Sequence, residues 1–343
     1  MEYFRARFQD DLNAEGEPIS IRDKIWSRDV ALQKLDDESY EQAFVDFVAR
    51  VKEDAKEHAR SFLREYGCLE RFRRLISRVQ NQSVVPWVGA GMSISSNFPG
   101  WREFLQHLQE EDPAAAPQME GLLDGGLYED AAQLLSDRLG SNILDENIEN
   151  VFGEPKPRIQ GPISLLPEIF KIGVVTTNFD YTLDRAYELA NMRFQRTFAG
   201  RDLRTAPARA ADDRNCLFRI HGEANNSDGR VLTRSDYDRA YGNESTLADV
   251  LNGLVSTRSL LFLGCSLSVD RPLMALNELK KRANVQNPRH YAFVPFPAEG
   301  RRVERRRQLE AADIHPIWYP NDGEHDQHIE ALLLCLMDGS IDD

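Results

Sequence analysis

Cysteine is scarce in this sequence and is not arranged for metal binding. The chain has 343 residues and four cysteines, Cys68, Cys216, Cys265 and Cys335. No two of them lie two or four residues apart, so neither a zinc ribbon nor a Cys-x-x-Cys redox pair can form locally. We therefore expect free, buried thiols and no bound metal.

Long apolar segments are also absent. No run of 18 or more apolar residues occurs, so no membrane span is expected. The first seven residues, Met1-Glu2-Tyr3-Phe4-Arg5-Ala6-Arg7, lack the apolar core of a secretory signal, and we expect a cytosolic protein. The hydrophobic content of 41% still allows one large core, or a core with a helical appendage.

Positive charge is deficient, because the formal net charge is −14. An acidic surface argues against direct binding to nucleic-acid phosphates, although a partner protein could still bind nucleic acid. The local basic run at 301–307 is interpreted as the solvated face of a helix.

The helical patterns divide the chain into two regions. Residues 1–80 are predicted to be a helical region for packing or oligomerisation, because apolar residues recur at helical spacing among charged ones. Residues 81–343 are predicted to be a second domain with a helical insertion at about 102–160. At the start of the last helix, His325 and His328 are interpreted as solvated residues and not as metal ligands.

Strand-like segments in the second region indicate a parallel sheet, since helical patterns fill the intervals between them. Pro86 and Pro316 lie within the first and last of these segments, and both predict a sheet edge or a strand entry. The expected fold class is α/β, a Rossmann-like parallel sheet flanked by helices, with a helical N-terminal appendage, a helical insertion and no zinc ribbon. The predicted strands are 84–88, 172–177, 216–220, 260–263, 291–294 and 314–319.

The first four of these strands each end in a polar or glycine-containing cluster. In an open α/β sheet, ligands bind outside the carboxyl ends of the strands, so we expect the four clusters to meet at one rim. They are Gly89-Ala90-Gly91-Met92-Ser93, Asn178-Phe179-Asp180, His221-Gly222 and Gly264-Cys265-Ser266.

The Gly89-Ala90-Gly91 turn is suited to holding an anionic diphosphate. A glycine turn between a strand and a helix leaves N–H groups free, and the helix dipole adds positive potential. The dinucleotide fingerprint, however, requires a third glycine, and this region has Ser93 and Ile94 instead. A tight turn without a ligand remains an alternative on this motif alone.

Four motifs in order resemble the sirtuin family. Residues 88–102 resemble its signature loop, although Gly100-Trp101 replaces Asp-Phe and Asn97 replaces a glycine. Residues 176–180 are similar to Thr-Gln-Asn-Ile-Asp, His221-Gly222 to His-Gly, and 264–269 to Gly-Thr-Ser-Leu-x-Val. The resemblance covers about residues 84–294.

The resemblance implies that residues 81–343 form a sirtuin-like, NAD-binding catalytic domain that breaks the bond between nicotinamide and ribose. His221 would be the base, Asn178 would hold the ribose or the attacking water, and Asp180 would supply negative charge. Each has a structural alternative: a hydrogen-bonded histidine at a strand end, a turn former or a helix cap. The residues expected to bind the dinucleotide are Gly89, Ala90, Gly91, Ser93, Trp101, Arg102, Thr177, Gly264 and Ser266.

One departure from conventional sirtuins concerns the nucleophile. Their four-cysteine zinc module follows the His-Gly motif, whereas residues 223–264 contain no cysteine here. Without the lobe that helps to hold an acyl-lysine peptide, water is the expected nucleophile. The sequence is similar to the zinc-less sirtuin-like proteins of bacterial antiphage defence.

That similarity implies an NAD glycohydrolase of an abortive-infection complex, gated by homo-oligomer assembly, with a HerA-type ATPase or a short Argonaute as partner. Two alternatives remain. One is an NAD-dependent deacylase, and the other is an idle module that binds NAD or ADP-ribose.

Overall fold

The structure, a computed structural model, describes residues 2–21, 23–156, 158–200, 203, 215–241, 244–255, 258–267, 271–282 and 288–342.

The N-terminal region is mainly helical but not entirely so. Between the first two helices a short antiparallel hairpin corrects the all-helical prediction, since strands of three residues are too short to show alternation in sequence. The elements are α1 (Glu2–Ala14), β1 (Ile19–Ile21), β2 (Lys24–Trp26), α2 (Arg28–Leu35), α3 (Asp37–Glu65) and α4 (Leu69–Gln80).

The insertion follows the first strand of the main sheet and is helical, as expected. Its own apolar cluster reaches Phe179, Ala224 and Leu232, so the insertion packs over the ends of the neighbouring strands. Its elements are β3 (Val84–Val88), the 3₁₀ helix Ala90–Ser96, α5 (Trp101–Gln109), α6 (Ala116–Asp124), α7 (Tyr128–Leu139) and α8 (Ser141–Phe152).

The remaining elements complete an α/β fold and confirm the predicted class. The strand missing from the prediction, β5, carries two exposed polar residues and has only Phe198 fully buried, so its sequence lacks a strand pattern. The elements are α9 (Leu166–Ile169), β4 (Gly173–Thr176), α10 (Thr182–Leu189), β5 (Arg196–Ala199), β6 (Cys216–Arg219), α11 (Arg234–Tyr241), α12 (Glu244–Val255), β7 (Ser259–Leu263), α13 (Arg271–Arg282), β8 (His290–Pro295), α14 (Arg302–Ala311), β9 (Ile314–Tyr319) and α15 (His325–Asp338).

Parallel pairing places β3 at the middle of the seven-stranded sheet formed by the described residues. The strand order is β5-β6-β4-β3-β7-β8-β9. The chain moves from β3 to β4 on one side and later adds β7 on the other side of β3. The sheet therefore has its topological switch point at the carboxyl end of β3, where ligands bind in open α/β sheets.

The position of β3 corrects the prediction that Pro86 marks an edge or a strand entry. The amide of Gly89 donates to the Leu263 carbonyl of β7, so alternate residues, Pro86 among them, face β4. Pairing with β4 begins only at Trp87, which is matched with Val175. The missing N–H of Pro86 therefore lies where the ladder has not yet started.

The prediction for Pro316 is confirmed. It lies on β9, which ends the sheet and pairs with β8 alone in the described chain. The Pro316 carbonyl accepts a hydrogen bond from the guanidinium of Arg71, which lies outside the sheet. An edge strand tolerates proline because the lost donor faces away from the ladder.

The N-terminal helices share one core with the sheet. Phe8 and Tyr40, from α1 and α3, are buried in the same apolar cluster as the strands and the C-terminal helix α15. The expected boundary near residue 80 therefore does not coincide with a division of the core.

No helix in the described ranges is both long and apolar enough to span a membrane.

His328 corrects the expectation of a solvated helix start. It is only 2% exposed, and its ring nitrogens lie 2.9 Å from His58 of α3 and 2.9 Å from Asp322. The reason is that α15 is apolar on several faces and packs against α3, α4 and α9, which draws its first turn into the interior.

Two glycine turns pack against each other at the switch point. The Gly91 amide donates to the Gly264 carbonyl at 3.0 Å. A Cβ on Gly91 would lie 2.9 Å from Gly264 Cα, and one on Gly264 would lie 2.5 Å from the Met92 nitrogen. Gly264 also has a φ of +64°, which side chains disfavour. The ends of β3 and β7 can approach this closely only because both turns lack side chains.

We expect Gly264→Ala to lower the free energy of unfolding by about 3 kcal/mol or more, since it combines a left-handed φ with a backbone clash. Gly300→Ala is the matched control, because Gly300 has a φ of +79° and a Cβ added there would meet no atom within 4 Å. It should cost about 1 kcal/mol. Urea unfolding of both variants measures the difference, and equal losses would contradict the packing argument.

Candidate active site

A cleft opens at the carboxyl ends of β3, β4, β6 and β7. Three of the four predicted strand-end clusters contribute to it from one side, and the insertion and α11 close it from the other. The second cluster, Asn178-Phe179-Asp180, does not line the cleft, and β4 contributes the preceding residue Thr177 instead. The wall residues are Gly89, Ala90, Gly91, Thr177, His221, Gly264, Cys265 and Ser266 from the strand ends, with Gly100, Trp101, Gly126, Tyr128, Glu129, Leu232 and Tyr237 opposite. The rim inferred from the sequence is therefore a physical cleft.

His221 follows β6 and lines this cleft. Its Nε2 lies 2.5 Å from the hydroxyl of Tyr237. Burial lowers the pKa of His221 to about 4, and the nearby Thr177 backbone acts in the opposite direction. The imidazole is thus neutral at physiological pH, which is the form that can accept a proton.

Asn178 lies directly behind the glycine turn and is buried. Its Nδ2 donates to the Gly89 carbonyl at 3.1 Å and to Ser93 Oγ at 3.2 Å. Its Oδ1 is buried and makes no hydrogen bond within the described part of the chain. Asn178 therefore fixes the turn and keeps one unpaired acceptor atom, although it is not among the described residues that line the cleft.

Asp180 has the geometry of its structural alternative. Its Oδ1 accepts from the Thr182 amide at 2.9 Å and so closes a turn directly before α10, whose N-cap is Tyr181. It is 5% exposed and is not among the described residues that line the cleft. Any negative charge that it supplies would act from behind the wall.

Arg219, which sequence reasoning missed, supports both of these residues. It is 1% exposed and donates to the carbonyls of Asn178 at 3.1 Å and Asp180 at 3.0 Å, and it pairs with Asp184. A single arginine inside an apolar strand was the available signal, because a buried charge requires several partners. Arg219 therefore holds the β4 loop in place.

The glycine turn offers fewer free donors than the motif predicts. The Gly89 amide is bonded to Leu263 and the Gly91 amide to Gly264, so the structure leaves only the Ala90 amide among the three without a described backbone partner. Ser93 is buried and accepts from Asn178. A seven-residue 3₁₀ helix, instead of an α-helix, follows the turn. Of the three N–H groups of the turn that were predicted to bind a diphosphate, that of Ala90 is thus the one that can still donate to it.

Of the two residues expected at the end of the signature loop, the structure brings one to the cleft. Trp101 lines it and packs edge-on against Phe179, with ring centroids 5.1 Å apart. Arg102 instead pairs with Asp124 at 2.8 Å on the surface, because the first turn of α5 directs it away. The expected contact between Arg102 and the dinucleotide stays a prediction, and Arg102 is not among the described residues that line the cleft.

Residues after β7 also belong to the strand-end side of the cleft. Gly264 makes the turn, and Ser266 lies exposed at the rim with its carbonyl 2.5 Å from an Arg305 nitrogen. Ser268 and Val269, the last residues of this motif, lie outside the described residues. Ser266 is thus placed where it could contact the outer part of a ligand.

The wall formed by the insertion and α11 was not predicted in detail. Arg271 lies 4.9 Å from the centre of the Tyr237 ring and bonds Glu129 at 2.9 Å and Asp238 at 3.1 Å. It therefore ties α7 to α11 and α13 across the cleft. The sequence offers no local signal for this contact, since the three segments are far apart along the chain.

Helices occupy the region where a zinc module would stand. Residues 234–241 and 244–255 form α11 and α12. Within the ranges that the structure describes, no group of three or more His, Cys, Asp or Glu residues could hold a metal ion.

Comparison with known proteins supports the same region. Residues 173–317 match the SIR2-like domain model, a range that contains β4, β6, β7 and their loops but not the glycine turn after β3. The chain is 22% identical over 221 residues to "NAD(+) hydrolase ThsA" of Acinetobacter baumannii (strain 532279), covering 64% of this chain and 44% of the relative.

Two further relatives are similar to this chain over a comparable length. An Enterococcus faecium protein of the same name is 23% identical over 227 residues, covering 65% of this chain and 45% of the relative. "Defense-associated sirtuin 2" of Bacillus subtilis is 24% identical over 217 residues, covering 62% of this chain and 21% of the relative. The chain thus spans less than half the length of these relatives. Its residues 173–317 match a SIR2-like domain, and the chain resembles sirtuin-like proteins.

Proposed function

We propose that this chain is an NAD glycohydrolase that cleaves NAD to nicotinamide and ADP-ribose. The observation that carries the proposal is one cleft, at the switch point of the sheet, that joins His221, Thr177 and both glycine turns. Two relatives are named NAD(+) hydrolases, which supports the same reaction.

The chemistry suits these residues. Nicotinamide leaves NAD as a neutral molecule, and the ribose passes through an oxocarbenium-like state, so no strong acid is needed. What is needed is a fixed geometry and a base for the incoming water. In the proposal, neutral His221 takes the proton, and Asn178 Oδ1 orients the water or the ribose.

Binding would use the rest of the cleft. The Ala90 amide and Ser266 would contact phosphate or ribose oxygens. Trp101 and Tyr128 present aromatic surface to the rings of the dinucleotide. NAD is the substrate in this scheme, and no metal is required.

We further propose that the protein acts in the bacterial cytoplasm as the effector of an antiphage complex. Unregulated loss of NAD would kill the cell, so activity would depend on homo-oligomer assembly and on a partner such as a HerA-type ATPase or a short Argonaute. The word "defense" in the name of one relative supports this context.

The direct test is incubation of the purified protein with NAD, with and without the product of a neighbouring gene. We expect nicotinamide and ADP-ribose to appear, and His221→Ala to lower the rate about 100-fold or more, as loss of a general base does. His107→Ala is the matched control, because that side chain is 71% exposed on α5. Chromatography of the products measures both rates.

Other outcomes of that assay would replace the proposal. Nicotinamide release only when an acyl-lysine peptide is present would identify a deacylase. NAD binding without turnover in every assembly would identify a sensor module. If His221→Ala cleaved NAD as fast as the wild-type protein, His221 would not be the general base.

A second prediction concerns Asn178. Asn178→Ala removes the two bonds that hold Gly89 and Ser93, and it should lower the free energy of unfolding by about 2 kcal/mol as well as strongly reducing kcat. Asn147→Ala, which removes one exposed bond to the Ile143 carbonyl, is the control. Thermal melting and kcat together distinguish a role in the site from a role in the fold. Near-normal turnover would rule out the catalytic part.

The pH dependence provides a third prediction. The neutral form of His221 is the active one, so kcat/KM is retained above its pKa and lost as the pH falls through it. Because burial lowers this pKa to about 4, the acid limb should be centred near pH 4 and not near 6.5. If activity recovers when the sample is returned to pH 7, irreversible unfolding is excluded as the cause of the loss of kcat/KM at low pH. A limb centred near 6.5 would show that His221 is hydrated in the working enzyme.

A further inference from the structure

Tyr237 contacts His221, the proposed base, but has no role so far in the proposed cleavage of NAD. It lies on α11, is 2% exposed as a residue, and belongs to the wall of the cleft. Its hydroxyl is 2.5 Å from Nε2 of His221. A phenol so close to the nitrogen of a partly buried base determines which proton transfers that base can make.

The surroundings of His221 assign the direction of this hydrogen bond. The Thr177 N–H already donates to the Val88 carbonyl at 3.3 Å. Nδ1 of His221 is buried and has no hydrogen-bond partner of normal geometry among the described residues. The Thr177 backbone nevertheless raises the pKa of the imidazole, which is the effect of a carbonyl that faces a ring N–H, since a carbonyl can only accept. The ring proton therefore belongs on Nδ1, and Nε2 accepts from the Tyr237 hydroxyl.

This arrangement has a consequence for catalysis. The lone pair of Nε2 points at Tyr237, so a nucleophile in the cleft does not reach Nε2 directly. The phenol oxygen can accept a proton from the cleft while its own proton passes to Nε2.

We propose that His221 acts through Tyr237, which holds the Nδ1–H tautomer of the imidazole and relays the proton of the attacking water to Nε2. This inference rests on the proposed NAD cleavage. The water oxygen bonds to C1′ of the ribose as the bond to nicotinamide breaks and its electron pair leaves with nicotinamide. The water proton goes to the phenol oxygen, and the phenol proton goes to Nε2. Tyr237 is unchanged, and His221 becomes an imidazolium.

Arg271 supports the relay. Its guanidinium lies 4.9 Å from the centre of the Tyr237 ring and is held by Glu129 and Asp238. A cation over the ring face stabilises electron density on the phenol during the transfer. The same ion pairs fix α11 against α7, so the hydroxyl is held on His221.

Tyr241 offers a matched control on the same helix. It is buried, and its hydroxyl lies 2.5 Å from the Ile220 carbonyl, a similarly short bond. It is not among the described residues that line the cleft. Replacement of either tyrosine by phenylalanine removes one buried hydroxyl, but only Tyr237 touches His221.

The kinetic test compares Tyr237→Phe with Tyr241→Phe in NAD cleavage. The relay predicts a fall in kcat of at least about tenfold for Tyr237→Phe, with KM for NAD within about twofold, and a much smaller change in kcat for Tyr241→Phe. A Tyr237→Phe enzyme with normal kcat would overturn the relay, and so would an equal loss in both variants.

A second measurement does not depend on turnover. In ¹⁵N-histidine-labelled wild-type protein, with the His221 signals assigned from His221→Gln, the shifts should show Nδ1 protonated and Nε2 unprotonated at pH 7. The reverse tautomer would overturn the inference. If the wild-type protein failed to cleave NAD in every assembly, the proposed function would fail, while these shifts would still decide whether Tyr237 donates to His221.

Discussion

The close approach of two backbones at the centre of the sheet is the contact on which the site depends. Gly91 and Gly264 meet at a hydrogen bond of 3.0 Å, in a space where neither can carry a side chain. This contact joins the ends of β3 and β7 and so defines one half of the cleft. It also occupies the Gly89 and Gly91 amides, which explains why a glycine turn of this kind need not offer a full set of donors to a ligand. The first role of these glycines is therefore structural, because they allow the ends of β3 and β7 to pack together.

The other half of the cleft is held by buried polar groups. Arg219 bonds the carbonyls that precede α10, and Asn178 connects that loop to the glycine turn. Such groups are costly to bury unless they are satisfied, so they define one arrangement of the loops. His221 lies between this fixed floor and the wall formed by α11, where burial keeps it neutral. The β4 side of the cleft is therefore positioned by Arg219 and Asn178, which are not among the described residues that line it.

Much of the fold could be read from local pattern. Strands such as Leu260–Leu263 are continuous apolar segments bounded by polar residues, and a parallel sheet buries such segments on both faces. β5 was missed because it carries exposed polar residues, and the β1–β2 hairpin because its strands are very short. Pro86 was misplaced because the effect of a proline on a ladder depends on the neighbouring register, which the sequence does not show.

The sequence by itself determined that four strand ends would carry His221, Asn178 and two glycine turns, since these motifs are local and the topology of a parallel sheet brings such ends to one edge. Only the tertiary structure decided which atoms remain available: that Asp180 closes a turn before a helix, that Arg102 pairs with Asp124 at the surface, and that Tyr237 bonds His221. These outcomes depend on contacts between segments far apart in the chain. The physical reason is that hydrogen bonding and burial are properties of the packed arrangement, whereas residue type and spacing are properties of the chain alone.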